Sequence, residues 1–128
     1  MPQELPAEIG EMIQSFLGRR LYVILSGPSD PDAALPLGLL GEHLRWLVEQ
    51  EQRGVLFAGG PFLIDAEPGA ESMYILRAAS IDEARQIADA EPYHRGGHRR
   101  YELKEWAINQ GRVTLSLDFS SQRGALDR

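Results

Sequence analysis

"SMYILRAASIDEARQIADAEP" (Ser72–Pro92) reads in order as a strand, a capped helix and a stop. The run from Met73 to Leu76 has the apolar, aromatic and β-branched composition of a strand. Ser80-Ile81-Asp82-Glu83 matches a capping box, in which hydroxyl and carboxylate satisfy each other's backbone amides. Ile81, Ala84, Ile87 and Ala88 then form one narrow apolar face at helical spacing. Pro92 disfavours helical backbone at Glu91, so the helix is predicted to stop there.

Working upstream, "VLFAGGPF" (Val55–Phe62) is a strand predicted to end in a Gly-Gly-Pro turn, and "DAEPGAE" (Asp65–Glu71) is a polar connection. "LGLLGEHLRWLVEQEQRG" (Leu37–Gly54) is a helix with Gly54 at its C-cap. Leu21 to Leu25 is a short buried strand closed by Ser26-Gly27-Pro28, and the breaker-rich "PSDPDAALPLG" after it is a loop. Downstream, "RRYELKEWAI" (Arg99–Ile108) alternates as a fourth strand. The order strand, helix, strand, strand, helix, strand is the βαββαβ split βαβ arrangement. It predicts an α+β, ferredoxin-like fold whose antiparallel sheet carries both helices on one face.

Two segments flank that core. Ile9, Met12, Ile13, Phe16 and Leu17 predict an N-terminal amphipathic helix from Pro6 to Leu17. "VTLSLDF" (Val113–Phe119) predicts an extra C-terminal strand, with a frayed end from about Ser120. The whole chain, 1–128, is expected to be one domain with its core at about 20–108. Tyr22, Ile24, Phe57, Tyr74 and Trp106 are expected on the sheet face away from the helices. That set is too apolar to stay bare, so a second copy is expected to cover it, giving a homodimer of face-to-face sheets, a dimeric α+β barrel.

Composition narrows the function classes. The formal charge of the 128-residue chain is −6, which argues against nucleic acid as a partner, because phosphate-backbone affinity comes from Lys and Arg. No apolar stretch approaches the ~18 residues that span a bilayer, and the acidic N-terminus is unlike an export signal. The chain has no cysteine, which excludes disulfides and thiolate chemistry. A cytoplasmic protein with a small-molecule or protein partner is expected.

All three histidines fall at two places, His43 on the second helix and His94 and His98 in the basic run "HRGGHRR" (His94–Arg100), which also holds Arg95, Arg99 and Arg100. Helical phase puts His43 on the side of Leu40, Leu44 and Leu47, away from Glu42, Arg45, Glu49 and Arg53. A histidine facing a sheet needs a partner, and a backbone carbonyl is the ordinary one. Glu91 is a second choice: both helices lie on one sheet face, so a helix-end carboxylate can reach the cleft. At a helix C-terminus the macrodipole disfavours that acid, so its placement there is costly. A carboxylate beside an imidazole fixes its tautomer and suits it to proton transfer. Tyr93 and Ser26 are candidate hydrogen-bonding helpers. Arg95, Arg99 and His98 are candidates for holding an anionic substrate, since guanidinium binds carboxylate or phosphate through two prongs. The alternative is that these arginines only pair with Glu102, Glu105 or other acids at the surface. Glu91, His94 and His98 are spaced like metal ligands, but Gly96-Gly97 makes a rigid ligand helix a poor expectation, and no metal or cofactor is predicted. Gly59-Gly60-Pro61 has no following Lys or helix start and is not a nucleotide loop.

"LYVILSG", "EHLRWLVEQEQRGVLFAGGPF" and "SMYILRAASIDEARQIADAEPYHRGGHRRYELKEW" together resemble the YCII-related family, over about Leu21 to Trp106. The resemblance implies the dimeric α+β barrel and an active-site pair of helix histidine and Asp-Pro acid. His43 matches the histidine, Gly60 and Pro61 the Gly-Pro, and Tyr93 the aromatic; Glu91-Pro92 stands where the family has Asp-Pro. Most members have no assigned reaction. One branch is similar to dehydrochlorinases of aromatic degradation, and muconolactone isomerases share the barrel. The expectation is an enzyme of lyase or isomerase type, with His43 and Glu91 as its proton-transfer pair on a small anionic compound. Its rival is a non-catalytic homodimer that binds a small ligand or docks on a pathway enzyme.

Overall fold

In the computed structural model, which describes residues 3–126, alternating apolar residues zip four strands into one sheet of order β2-β3-β1-β4. The strands are β1 (Arg19–Pro28), β2 (Leu56–Ile64), β3 (Glu67–Leu76) and β4 (Arg99–Ile108). β3 runs antiparallel to both β1 and β2. Helix α2 (Leu40–Gln52) crosses from β1 to β2 after one 3-10 turn, and α3 (Ile81–Ala90) crosses from β3 to β4. This is the ferredoxin-like α+β fold. It occupies the compact unit Arg20–Ala107.

Local chemistry explains the boundaries. Helix α2 ends in a Schellman motif: Gly54 takes a φ of +75°, its N–H donates to Glu51 O at 3.0 Å, and Val55 N–H donates to Gln50 O at 2.9 Å. Helix α3 starts at Ser80, whose hydroxyl accepts from Glu83 N–H at 3.1 Å, one half of the capping box. It stops before Pro92, and Glu91 is extended at φ −61°, ψ 132°.

Tyr22, Ile24, Tyr74 and Leu76 cluster with Ala84 and Ala88 of α3, and Val55, Leu56, Ile87, Tyr101 and Leu103 pack against them. Here the sequence expectation is corrected. Tyr22, Ile24 and Tyr74 face the helices, not the open side of the sheet. A central strand apolar on both faces carries no alternation to reveal which parity faces inward. The opposite parity, Val23 and Leu25 of β1 with Met73 and Ile75 of β3, forms the other face, and Phe57 and Trp106 are each 40% exposed.

Other segments also depart from expectation. Gly59-Gly60-Pro61 is not a turn. β2 continues through it to Ile64 and turns at Asp65-Ala66, both at positive φ, into β3, which begins at Glu67 within the segment expected to be a connection. Pro61 is tolerated because β2 is an edge strand, and two register shifts absorb the irregularity. The basic segment after Pro92 is not wholly loop but opens with one helical turn, α4 (Pro92–Arg95).

The second compact unit holds residues 3–19 and 108–126. Helix α1 (Ala7–Ser15) lies within the predicted N-terminal helix. The C-terminal end is not frayed over 120–126: β5 (Leu115–Asp118) turns at Phe119–Gln122 into β6 (Arg123–Leu126), an antiparallel pair. The sequence there lacks an alternating apolar signal, and backbone pairing alone defines β6. No helix among the described residues is long and apolar enough to cross a membrane.

Replacing Gly54 by Ala forces a side chain into left-handed backbone. The variant is expected to lose about 1 kcal/mol of stability. Urea denaturation should show a lower midpoint with an unchanged slope.

Candidate active site

Glu91 is the last residue of one helix signal and the first of another. Its backbone leaves α3, Pro92 takes the first position of α4, and its carboxylate Oε2 caps α4 by accepting from His94 N–H at 3.0 Å. The acid that looked misplaced at the end of α3 is therefore favourably placed at the start of α4. Its side chain is 0% exposed, and Oε1 reaches across to α2, 2.5 Å from His43 Nδ1. Burial would raise the carboxyl's pKa. The hydrogen bond from His43 and the backbone N–H bonds of Tyr93 and His94 outweigh it and hold the group below its ordinary range. Glu91 is thus an ionised acceptor, which requires the proton of His43 to sit on Nδ1. Nε2 makes no hydrogen bond among the described residues, and in the neutral ring it carries the lone pair.

The His43 side chain is 18% exposed and lies on the wall of a cavity of about 580 Å³ between α2 and strands β2 and β3. Leu40, Leu44, Leu47 and Val48 of α2 supply one apolar wall, and Gly59, Gly60 and Pro61 of β2 another. Gly59 keeps the strands close: a Cβ there would stand 3.0 Å from Tyr74 Cβ. Tyr93 is buried, with its ring centroid 5.0 Å from that of His43 and its hydroxyl donating to Pro36 O at 3.2 Å. It braces the imidazole and the cavity wall together.

Arg99, at the start of β4, lines the same cavity. Its Nε–H donates to Ser26 Oγ at 2.9 Å, and Nη2 donates to Ser26 O at 3.0 Å and Ala70 O at 2.8 Å. All of these acceptors are neutral. None of the ion pairs among the described residues involves Arg99. A cation with hydrogen-bonded support but no counter-ion is chemically suited to an anionic guest.

The remaining candidates sort differently. Ser26 is buried behind Arg99 and does not line the cavity. Arg95 points to solvent in an exposed ion pair with Glu42 at 2.8 Å, the kind of contact that contributes little. His98 packs its ring edge-on to Tyr93, with centroids 6.5 Å apart, outside the cavity lining. Arg100 is exposed on β4.

Two residues of the site escaped the sequence reading. Tyr74 lines the cavity, and burial, then the charge of Glu91, raise its phenol so that it stays protonated. His94 is buried behind the dyad. Its Nδ1–H donates to Ala88 O at 2.8 Å, and Nε2 accepts from the Ser26 hydroxyl at 2.8 Å. Burial pushes its pKa down, against the pull of the Ala88 carbonyl and Glu91. With both nitrogens engaged, it is not free to ligate a metal. Among the described residues no group of three or more His, Cys, Asp or Glu side chains is arranged to hold a metal ion. The available signal was the Glu91-Pro92-x-His94 spacing, which is that of an N-cap and its third helical residue.

A family model described as YCII-related domain matches residues 21–107. No curated protein matches the chain. Among solved structures, the chain is similar to 5-chloro-2-hydroxyhydroquinone dehydrochlorinase from Burkholderia phenoliruptrix AC1100, in complex with 2,5-dihydroxybenzoquinone. The TM-score is 0.56 at 22% identity, covering 67% of this chain and 92% of that one.

Both depressed pKa values stabilise the fold above the unfolded-state value and lose that contribution as pH falls through the folded one. Stability should therefore decline below about pH 6.5 through His94 and fall further below about pH 4.5 through Glu91. Glu91→Gln is expected to cost about 3 kcal/mol at pH 7, as breaking a buried pair does. It should keep the upper decline and lose the lower one in urea melts run from pH 3.5 to 8.

Proposed function

The chain belongs to the YCII-related family, and from that premise we propose that it is an enzyme of lyase or isomerase type acting on a small anionic organic molecule. The observation that carries the reading is the His43–Glu91 contact at the wall of a cavity that also holds Arg99. The anionic group of the substrate accepts from Arg99, and its apolar body lies against Leu40, Leu44 and Leu47 of α2. His43 Nε2 removes a proton from the substrate, and Glu91 stabilises the imidazolium so formed. In an elimination, the electron pair of the broken bond to hydrogen forms a new double bond and expels a leaving group with its own pair. In an isomerisation, the same imidazolium returns the proton to a different atom of the substrate. The dehydrochlorinase named above supports the elimination branch by likeness of fold.

On this reading residues 1–128 act as one domain, in the cytoplasm, and the molecule is a homodimer. The sheet face of Val23, Leu25, Met73 and Ile75 supports the last point, since all of these but Ile75 are only half-buried in one chain. Light scattering should give twice the chain mass of 14.3 kDa, and Leu25→Arg should return the monomer.

A thermal-shift screen of small organic acids identifies the ligand class, since a compound at a hundred times its dissociation constant adds about 2.7 kcal/mol. With a hit in hand, His43→Asn is expected to keep binding and to lower turnover by roughly 10²- to 10⁴-fold. Arg99→Gln should weaken binding instead. Ligand binding with no turnover by the unaltered protein would leave a binding module, the rival function.

A further inference from the structure

One residue with no part in the proton transfer touches both halves of this site, His94, through its backbone amide on one side and its ring on the other. His94 N–H donates to Glu91 Oε2, and Glu91 Oε1 holds His43. His94 Nε2 accepts from the Ser26 hydroxyl, and Ser26 Oγ in turn accepts from Arg99 Nε–H. We propose that His94 is a positioning residue, a strut that orients Ser26 so that Arg99 presents its guanidinium to the anionic end of a ligand in the cavity.

The direction of each bond follows from chemistry. A carbonyl only accepts, so the contact with Ala88 O puts the His94 proton on Nδ1 and leaves Nε2 as an acceptor. Ser26 has one proton, and giving it to Nε2 turns a lone pair toward Arg99. A guanidinium has no acceptor, so Ser26 meets it with a lone pair while its proton goes to Nε2, against which the Tyr74 hydroxyl also lies at a longer 3.4 Å. The charged and titratable groups facing His94 are Glu91 beside it, Asp89 of α3, Tyr74 of β3, and Arg99 and Tyr101 of β4. The carboxylates favour a protonated ring. Burial and the cation of Arg99 oppose them, and burial is the largest influence. The inference deepens the reading of the cavity as an anion site and rests on it for the ligand, but the strut itself is visible without one.

Nitrogen-15 NMR of the whole chain tests it directly. The expected result is a distinct, exchange-protected Arg99 Nε–H signal, with the neutral His94 ring in the Nδ1–H form at pH 8. His94→Gln, whose amide oxygen can still accept from Ser26, should keep the Arg99 signal. His94→Phe should lose it. Ser26→Ala should lose it too, and answers the question if the Phe variant does not fold. His43→Gln should leave it intact, so failure of the strut and failure of the proposed catalysis are told apart.

Binding of 2,5-dihydroxybenzoquinone, an acidic ring compound, adds a thermodynamic cycle by calorimetry. Arg99→Gln and His94→Phe are each expected to weaken it about tenfold, and the double variant no further than Arg99→Gln alone. A neutral His94 ring in the Nε2–H form, or an Arg99 signal indifferent to Ser26→Ala and His94→Phe, overturns the proposal. So do losses in the cycle that multiply.

Discussion

A carboxylate taken wholly out of water stays charged only where protons from its surroundings replace those of the solvent. Glu91 meets that condition with His43 Nδ1–H on one oxygen and backbone N–H groups of α4 on the other. Three elements are tied by this one group: the end of α3, the start of α4 and the first turn of α2. A shorter acid or a neutral side chain at this position would loosen the mutual placement of helices that frame the cavity. The imidazole that faces the cavity is thus oriented by the same contacts that close the helix layer.

The charge arrangement inside the cavity runs against that of the molecule. The chain as a whole is acidic at −6, whereas the cavity presents the cation of Arg99 on a scaffold of neutral oxygens. Long-range attraction of an anion by net charge is therefore absent, and screening at physiological salt confines influence to about 8 Å in any case. On the proposed reading, recognition is local, through a guanidinium held by neutral acceptors and an apolar wall, an arrangement suited to compact ligands more than to extended polyanions.

Much of the βαββαβ order was legible because each core element carries its own punctuation. Ser80 and Pro92 bracket α3, Gly54 closes α2, and β4 alternates over its first half. Helical phase was enough to separate His43 from the charged side of α2. What escaped needs partners distant in sequence. Which parity of β1 faces the helices depends on registers such as Ile24 opposite Tyr74, 50 residues away in the chain. The bonds of His94 reach Ser26 across 68 residues, so no local window contains them. Pro61 reads as a breaker until β2 is known to be an edge, where a missing amide proton costs nothing.

That edge has a consequence for how the protein survives at high concentration. β2 borders the sheet, so its outer row of amides and carbonyls is a template onto which a neighbouring chain could add a strand. Pro61 removes one donor from the row, and the irregularities near Ala58 and Leu63 spoil the flat repeat that fibril growth requires. The irregular strand that bounds the cavity on its inner side thus also works outward, as a guard against self-association into filaments.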